Sequence, residues 1–199
     1  MGYLHEIDED AADGTVAELY AVDRAALGHV ANYTKTFAPR PAVYGAWQAL
    51  NGAIKAGMDQ RRYELVTVAA ARELKSSYCA LAHGSVLASL VGEAAVRELV
   101  GTGRGHELTD VDRAVAALAA KVATDASSIV EDDFAELREL GFDDADILDV
   151  VLAAAARCFF STVLDATGTL PDAEYATTLA PETRALLTVG RPIEIQSRQ

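Results

Sequence analysis

Cysteine is scarce in this sequence. Cys79 and Cys158 are the only two among 199 residues, which rules out a disulfide-built scaffold and fits a chain with reduced thiols. Positive charge is also in deficit. Seventeen Lys and Arg stand against thirty Asp and Glu, for a net charge of −13 and a pI near 4.6. Such a chain repels phosphate backbones and anionic headgroups, so nucleic acid and membrane surfaces are not expected partners. Apolar runs such as 150–156, "VVLAAAA", are too short to cross a bilayer. The opening "MGYLHEIDED" lacks the basic and apolar regions of a secretory leader. These absences together give the expectation of a cytoplasmic protein. Alternating period-2 strands are missing as well.

What fills the chain is helix. Hydrophobic residues make up 51% of it, enough for a sizeable core, and they recur at helical spacing. The pattern predicts an all-α fold with helices at roughly 14–28, 40–56, 59–74, 77–91, 93–101, 110–125, 129–140 and 143–167. Asp59, Thr109 and Asp143 or Asp144 stand where N-caps are needed, and Gly141 where a helix should stop. The acidic run Glu131-Asp132-Asp133 suits a solvated first turn. The single domain 1–199 is expected to end in a C-terminal arm, 180–199, whose extended last stretch would lie on a neighbouring subunit.

An internal echo crosses the chain at an offset of 84 residues. "GMDQRRYELVTVAAAR" from Gly57 aligns without gaps on "GFDDADILDVVLAAAA" from Gly141. This suggests a duplicated helical unit, roughly 38–92 and 128–170, because one amphipathic unit cannot bury its apolar face alone. In that alignment Glu64, Cys79 and His83 face Leu148, Val163 and Thr167. Packing needs only apolar residues at such places, so the polar set asks for a chemical reason.

The stretch "SSYCALAH", 76–83, supplies one. Ser76 is placed to cap a helix, Cys79 falls in its first turn, and His83 follows one turn later on the same face. A helix N-terminus favours thiolate over thiol, and only the thiolate is a good nucleophile. Glu64 interrupts an apolar face on the preceding helix, and a buried carboxylate there needs a partner such as His83. The three would form a carboxylate–imidazole–thiol relay. The plainer alternative is a small buried cysteine beside a structural histidine.

Ser76 lies twelve residues after Glu64, and Ser76-x-x-Cys79-x-x-x-His83 follows. This spacing resembles the signature of the AhpD-like family, the alkylhydroperoxidase and carboxymuconolactone decarboxylase superfamily: a glutamate, eleven residues, then Cys-x-x-Cys-x-x-x-His. "RRYELVTVAAAREL" resembles the family's lead-in, and "LGFDDADILDVVLAAAARCFFSTVLDATGTLPDAEY" resembles its peroxidase-related members. The resemblance spans about 38–175. It implies an all-α helical bundle with an internal repeat, assembled as a dimer, trimer or hexamer, needing no cofactor. It also implies that Cys79 meets a hydroperoxide, that Glu64 and His83 relay protons, and that Tyr78 takes a place often held by histidine or tyrosine. Ser76 departs from the pattern, because a serine cannot close the disulfide that the first cysteine would form.

Three readings stay open. The first is a hydroperoxide reductase with one reactive cysteine, recycled by an external thiol or by Cys158. The second is a decarboxylase-like enzyme on a small organic acid, with Glu64 and His83 as acid and base and with Arg61, Arg62 or Arg72 as counter-charge. The third is a helical oligomer whose site has lost its chemistry. Other features read as structure. "GTGRG", 101–105, fits no nucleotide-loop spacing and reads as an inter-helix loop. His5, His29 and His106 show no metal-ligand spacing. Cys158, Phe37, Tyr44 and Trp47 read as core, with the three aromatics also able to line a pocket.

Overall fold

The computed structural model describes residues 2–101 and 105–195, and helices stand where the periodicity puts them. In chain order they are α1 (Gly14–Leu27), α2 (Asn32–Phe37), α3 (Pro41–Ala56), α4 (Gln60–Glu73), α5 (Ser77–Val91) and α6 (Glu93–Val100). Then come α7 (Asp110–Asp125), α8 (Glu131–Glu139), α9 (Asp144–Ala166), α10 (Tyr175–Thr178) and α11 (Pro181–Leu187). No strand occurs among the described residues, and the fold is all-α. The eight anticipated helices fall within two residues of their expected ends. The short α2, α10 and α11 were not anticipated, since each is too brief to show a period. The glycine-rich stretch 101–105 falls between α6 and α7, and its positions 102–104 lie outside the described residues.

Caps set several boundaries. The Asp59 carboxylate accepts from the Arg62 N–H at 3.0 Å. Thr109 and Asp112 cap α7 reciprocally, as do Asp143 and Asp146 for α9, which satisfies N–H groups that a helix start leaves free.

Helix α4 runs through the middle of the bundle. Its nine residues from Tyr63 to Ala71 are all buried, and α5, α7 and α9 pack around it. The Ala69-Ala70-Ala71 run lets neighbouring backbones approach closely at little side-chain entropy cost. Helix α9 is long and apolar enough, by length and composition, to cross a membrane, because apolar residues resume beyond the single charges Asp149 and Arg157 that flank the run 150–156. Half of that window is buried against the rest of this protein, where it forms one wall of the core.

The offset of 84 has a structural counterpart. Asp59 and Asp143 cap α4 and α9 in the same way, and the equivalent residues Arg62 and Asp146 meet as an ion pair at 3.1 Å. Beyond the alanine run the two segments differ: α4 ends at Glu73, while α9 continues unbroken to Ala166.

The break after α4 is made by Lys75, the one non-glycine residue among those described with a left-handed backbone, φ 55°. The Ser76 N–H reaches back to the Ala71 carbonyl at 2.9 Å, closing the helix end. Ser76 then occupies the N-cap position of α5, but its hydroxyl makes no capping bond, contrary to expectation. Its ψ of 93° is short of the usual extended value, and its side chain interacts with Asp165. The tail begins with a short helix, and its last described stretch, 188–195, has neither helix nor strand. Its first part is α11, and its described end folds back on its own chain: the Gly190 N–H donates to Ser77 Oγ at 2.8 Å, and Arg191 donates to the Asp165 carbonyl at 2.7 Å. Residues 196–199 lie outside the described residues.

A Cβ at Gly190 would run into the Lys75 carbonyl oxygen. Gly190→Ala is therefore expected to destabilise the fold by about 2 kcal/mol, a Tm fall of about 5 °C by calorimetry. An unchanged Tm would mean that the tail does not hold the α4–α5 turn.

Candidate active site

Three helices bring the site together. Glu64 leaves α4, Cys79 and His83 leave α5, and Arg157 leaves α9. Their side chains border one cavity of about 410 Å³, whose outer part is bounded by Gln48, Gly52 and Lys55 of α3. Its wall is aromatic. Trp47 stacks on Phe160 with centroids 5.0 Å apart, and Phe37 stacks on both Phe160 and Tyr44. Tyr44 and Trp47 thus serve core and cavity together, while Phe37 backs the wall from behind.

Glu64 is 1% exposed, and a carboxylate that deep must find a donor. His83 Nδ1 meets its Oε2 at 2.5 Å, the pairing expected from sequence. Lys55 Nζ lies 4.0 Å from the other carboxylate oxygen and over the Tyr63 ring. Burial and the positive charge of Arg157 push the His83 pKa down to about 4, against the opposing pull of Glu64. The imidazole is therefore neutral at pH 7. With Nδ1–H donating to Glu64, its Nε2 is a free proton acceptor.

Cys79 is 2% exposed and its sulfur faces Arg157, whose Nη1 is 3.4 Å from Sγ. Arg157 is itself buried, and its other terminal nitrogen donates to the Tyr63 hydroxyl at 3.3 Å. That hydroxyl in turn donates to Asn51 Oδ1 at 2.6 Å. Burial opposes the guanidinium charge, yet the neighbouring Cys79 sulfur and Tyr63 oxygen hold the Arg157 pKa above its ordinary value.

Tyr78, next to Cys79, points its hydroxyl away from this cluster. It donates to Asp172 at 2.5 Å and accepts from the Tyr33 N–H at 3.2 Å, so it braces α5 against the loop before α10. Burial, with the Asp172 charge, raises its pKa well above that of a free phenol, and it stays protonated. Ser76 is fully buried and does not border the cavity, and its hydroxyl is turned to the Asp165 carboxylate, whose pKa burial raises. Cys158 is half-buried and also does not border the cavity. Burial pushes its thiol pKa up.

The sequence-based counter-charges are elsewhere. Arg61 is held by Asp112 through two bonds of 2.5 and 2.7 Å, Arg62 pairs with Asp146, and Arg72 lies beside Leu99 and Ala116. The cations at the cavity are Arg157 and Lys55, which sequence reasoning missed. Arg157 carried a readable signal, a lone charge inside the apolar run of α9, comparable to the one that marked Glu64.

No protein-family model matches the sequence, and comparison with curated proteins gives no match. Solved structures do match. An uncharacterized peroxidase-related protein from Silicibacter sp. TM1040 aligns with a TM-score of 0.76 at 27% identity, covering 88% of this chain and 94% of its own. The alkylhydroperoxidase AhpD core of an uncharacterized peroxidase-related protein from Ralstonia eutropha JMP134 aligns with a TM-score of 0.74 at 22% identity, over 96% and 98% of the two chains. The debrominase Bmp8, as a cysteine-to-alanine variant in complex with 2,3,4-tribromopyrrole, gives 0.72 at 13% identity over 87% and 93%. The chain has the AhpD-like fold, as the motif resemblance implied.

Because His83 is held neutral, acid should weaken the fold. Its folded pKa of about 4 is below the unfolded 6.5, so the unfolded chain binds the extra proton between those values. The His83 contribution is complete above pH 6.5 and is lost as pH falls towards 4, up to about 3 kcal/mol. Denaturant titrations at pH 7 and 4.5 should show a smaller loss in His83→Gln than in the parent. Equal losses would count against a neutral buried imidazole.

Proposed function

We propose that the chain is a thiol-dependent hydroperoxide reductase working with one reactive cysteine, Cys79, with His83 and Glu64 as its proton relay and an external thiol as reductant. The observation that carries this reading is the placement of the Cys79 sulfur and the His83–Glu64 pair on one aromatic-walled cavity. That two proteins of the same fold are described as peroxidase-related supports it.

In the first step the sulfur attacks the terminal oxygen of the hydroperoxide. An S–O bond forms, the O–O bond breaks, the sulfur is oxidised to sulfenic acid, and the alkoxide leaves as alcohol once His83 Nε2 has relayed to it the proton that the thiol released. One molecule of the external thiol then displaces water from the sulfenic acid to give a mixed disulfide. A second releases Cys79 and leaves as the oxidised disulfide.

A second reading is favoured by Arg157 and Lys55, which would give a small organic acid its counter-charge beside the His83–Glu64 pair. Full activity on such an acid after alkylation of Cys79 would select it. A protein that turns over neither substrate class, with a Cys79 inert to peroxide, would fit the third reading, a helical oligomer without chemistry.

Homo-oligomerisation belongs to the proposal. The exposed faces of α3 and α9 adjoin through the Trp47–Phe159 contact at 5.6 Å. They present Val43, Leu50, Leu148, Leu152 and Phe159 to solvent at heptad-like spacing.

Cys79→Ser is expected to abolish consumption of an organic hydroperoxide in the presence of a dithiol, measured by residual peroxide; undiminished turnover would remove the proposal. Ser76→Cys should restore an internal resolving thiol and raise turnover several-fold, with a disulfide visible by mass. For assembly, Leu152→Glu with Phe159→Glu should lower the mass seen by light scattering to that of one chain.

A further inference from the structure

Arg157 poses a charge problem that the relay does not solve. It is 3% exposed, and no carboxylate pairs with it among the described residues. The cavity's one carboxylate, Glu64, is already bonded to His83. A guanidinium taken out of water without an anion is strongly disfavoured. The groups within reach of its terminal nitrogens are the Tyr63 hydroxyl and the Cys79 sulfur. The hydroxyl, which donates its hydrogen bond to Asn51 Oδ1, accepts from the guanidinium and fixes its orientation. The sulfur is the atom that can carry the charge: a thiol is a weak acceptor, a thiolate a strong one.

We infer that Cys79 is held as a thiolate whose counter-cation is Arg157, making Arg157 a catalytic residue in direct contact with the reacting sulfur. The inference rests on reading Cys79 as the reactive sulfur, and it changes the division of labour in the site. His83 lies beside the same guanidinium and is neutral, so it does not hold the thiol proton as an imidazolium would. Its task is confined to the far end of the reaction. The thiolate attacks the terminal peroxide oxygen, which keeps its hydrogen as the S–O bond forms and the O–O bond breaks. The departing alkoxide takes one proton from solvent through His83. Sulfur loses two electrons to the peroxide, and the external thiol returns them. As the sulfur becomes a neutral sulfenic acid, Arg157 is left facing the alkoxide's negative charge and stabilises it before protonation.

Other ionisable groups around the sulfur are His83 and Tyr78 on its own helix, Tyr33 on α2, Tyr44 and Lys55 on α3, Glu64 and Tyr63 on α4 and Tyr175 on α10. Burial raises the pKa of Tyr33, Tyr44 and Tyr78, so that they stay protonated. Burial raises the Tyr175 pKa, and it remains a neutral phenol. Lys55 is nearer to Glu64 and the Tyr63 ring than a dedicated partner of the thiolate would be. Of the two cations, Arg157 is the one in hydrogen-bond contact with sulfur.

The test uses the full chain in a Cys158→Ala background, so that Cys79 is the one thiol reporting. The rate of alkylation by iodoacetamide is followed from pH 4 to 10, alongside hydroperoxide consumption with a dithiol. The parent's alkylation midpoint is expected below the ~8.5 of a free thiol. In Arg157→Met it should rise by at least about one pH unit, with the rate at pH 7 falling about tenfold, and Arg157→Lys should lie between them. A folded Arg157→Met with the parent's midpoint overturns the inference. Should Arg157→Met fail to fold, thiolate absorbance near 240 nm in the Cys158→Ala protein decides: a signal persisting below pH 7 supports the pair, and one emerging only at pH 8.5 or above overturns it. The two proposals part cleanly. A shifted midpoint without hydroperoxide turnover removes the reductase reading alone, and turnover with an unshifted midpoint in Arg157→Met removes the inference alone.

Discussion

Burial of α4 on every side is the constraint from which the site follows. A helix with nine successive residues out of solvent has no outward face on which to place a polar side chain. Glu64 therefore cannot reach water, and its charge must be met by groups from the helices packed against it. Helix α5 supplies His83 and α3 supplies Lys55. The other polar group at this level, the Tyr63 hydroxyl, is met by Asn51 from α3 and Arg157 from α9. The cavity is where those three neighbours cannot close around α4, and its polar residues are those that α4 makes necessary. Packing and chemistry are set by one helix.

The local charges differ from those of the molecule. A chain with net charge −13 gathers two cations around a single carboxylate at this cavity. Burial then decides what each is worth, because a charge in low dielectric acts on neighbours that solvent would otherwise screen. The Arg157 charge reaches both the sulfur and the imidazole. It holds the ring proton-free, and at the sulfur it is the cation in direct contact. Cys79 and His83 sit one helical turn apart, yet their electrostatic partners lie on other helices.

Much of this was legible in the sequence, for reasons that also explain the rest. Helix positions follow from apolar periodicity and from caps such as Asp59 and Thr109, which are local and need no tertiary knowledge. Glu64 stood out because it breaks an apolar face, and it pairs with His83 as that break suggested. Arg157 breaks the apolar run of α9 in the same manner, but attention fell on the neighbouring Cys158. Arg61 and Arg62 looked free because their partners, Asp112 and Asp146, are 51 and 84 residues away. Ser76 could be placed at the cap from its residue type, but whether its hydroxyl caps depends on ψ, which sequence does not specify. The returning tail depends on Gly190 meeting the Lys75 turn, a contact between segments 115 residues apart and equally invisible locally.

The serine at 76 matters through where it sits as much as through what it lacks. It is fully enclosed and borders no part of the cavity, so the sulfur of Cys79 looks out on space that Ser76 does not share. Cys158 is outside that space too, beside the guanidinium's helix position but not at the wall. Among the described residues no second sulfur lines the cavity with Cys79, and Gln48, Gly52 and Lys55 are exposed residues of its lining. In the proposed one-cysteine cycle the hydroperoxide and the external thiol would use this same cavity, so the alcohol would leave before the thiol enters. Trp47 and Tyr44 in the aromatic wall would then bound the space open to both.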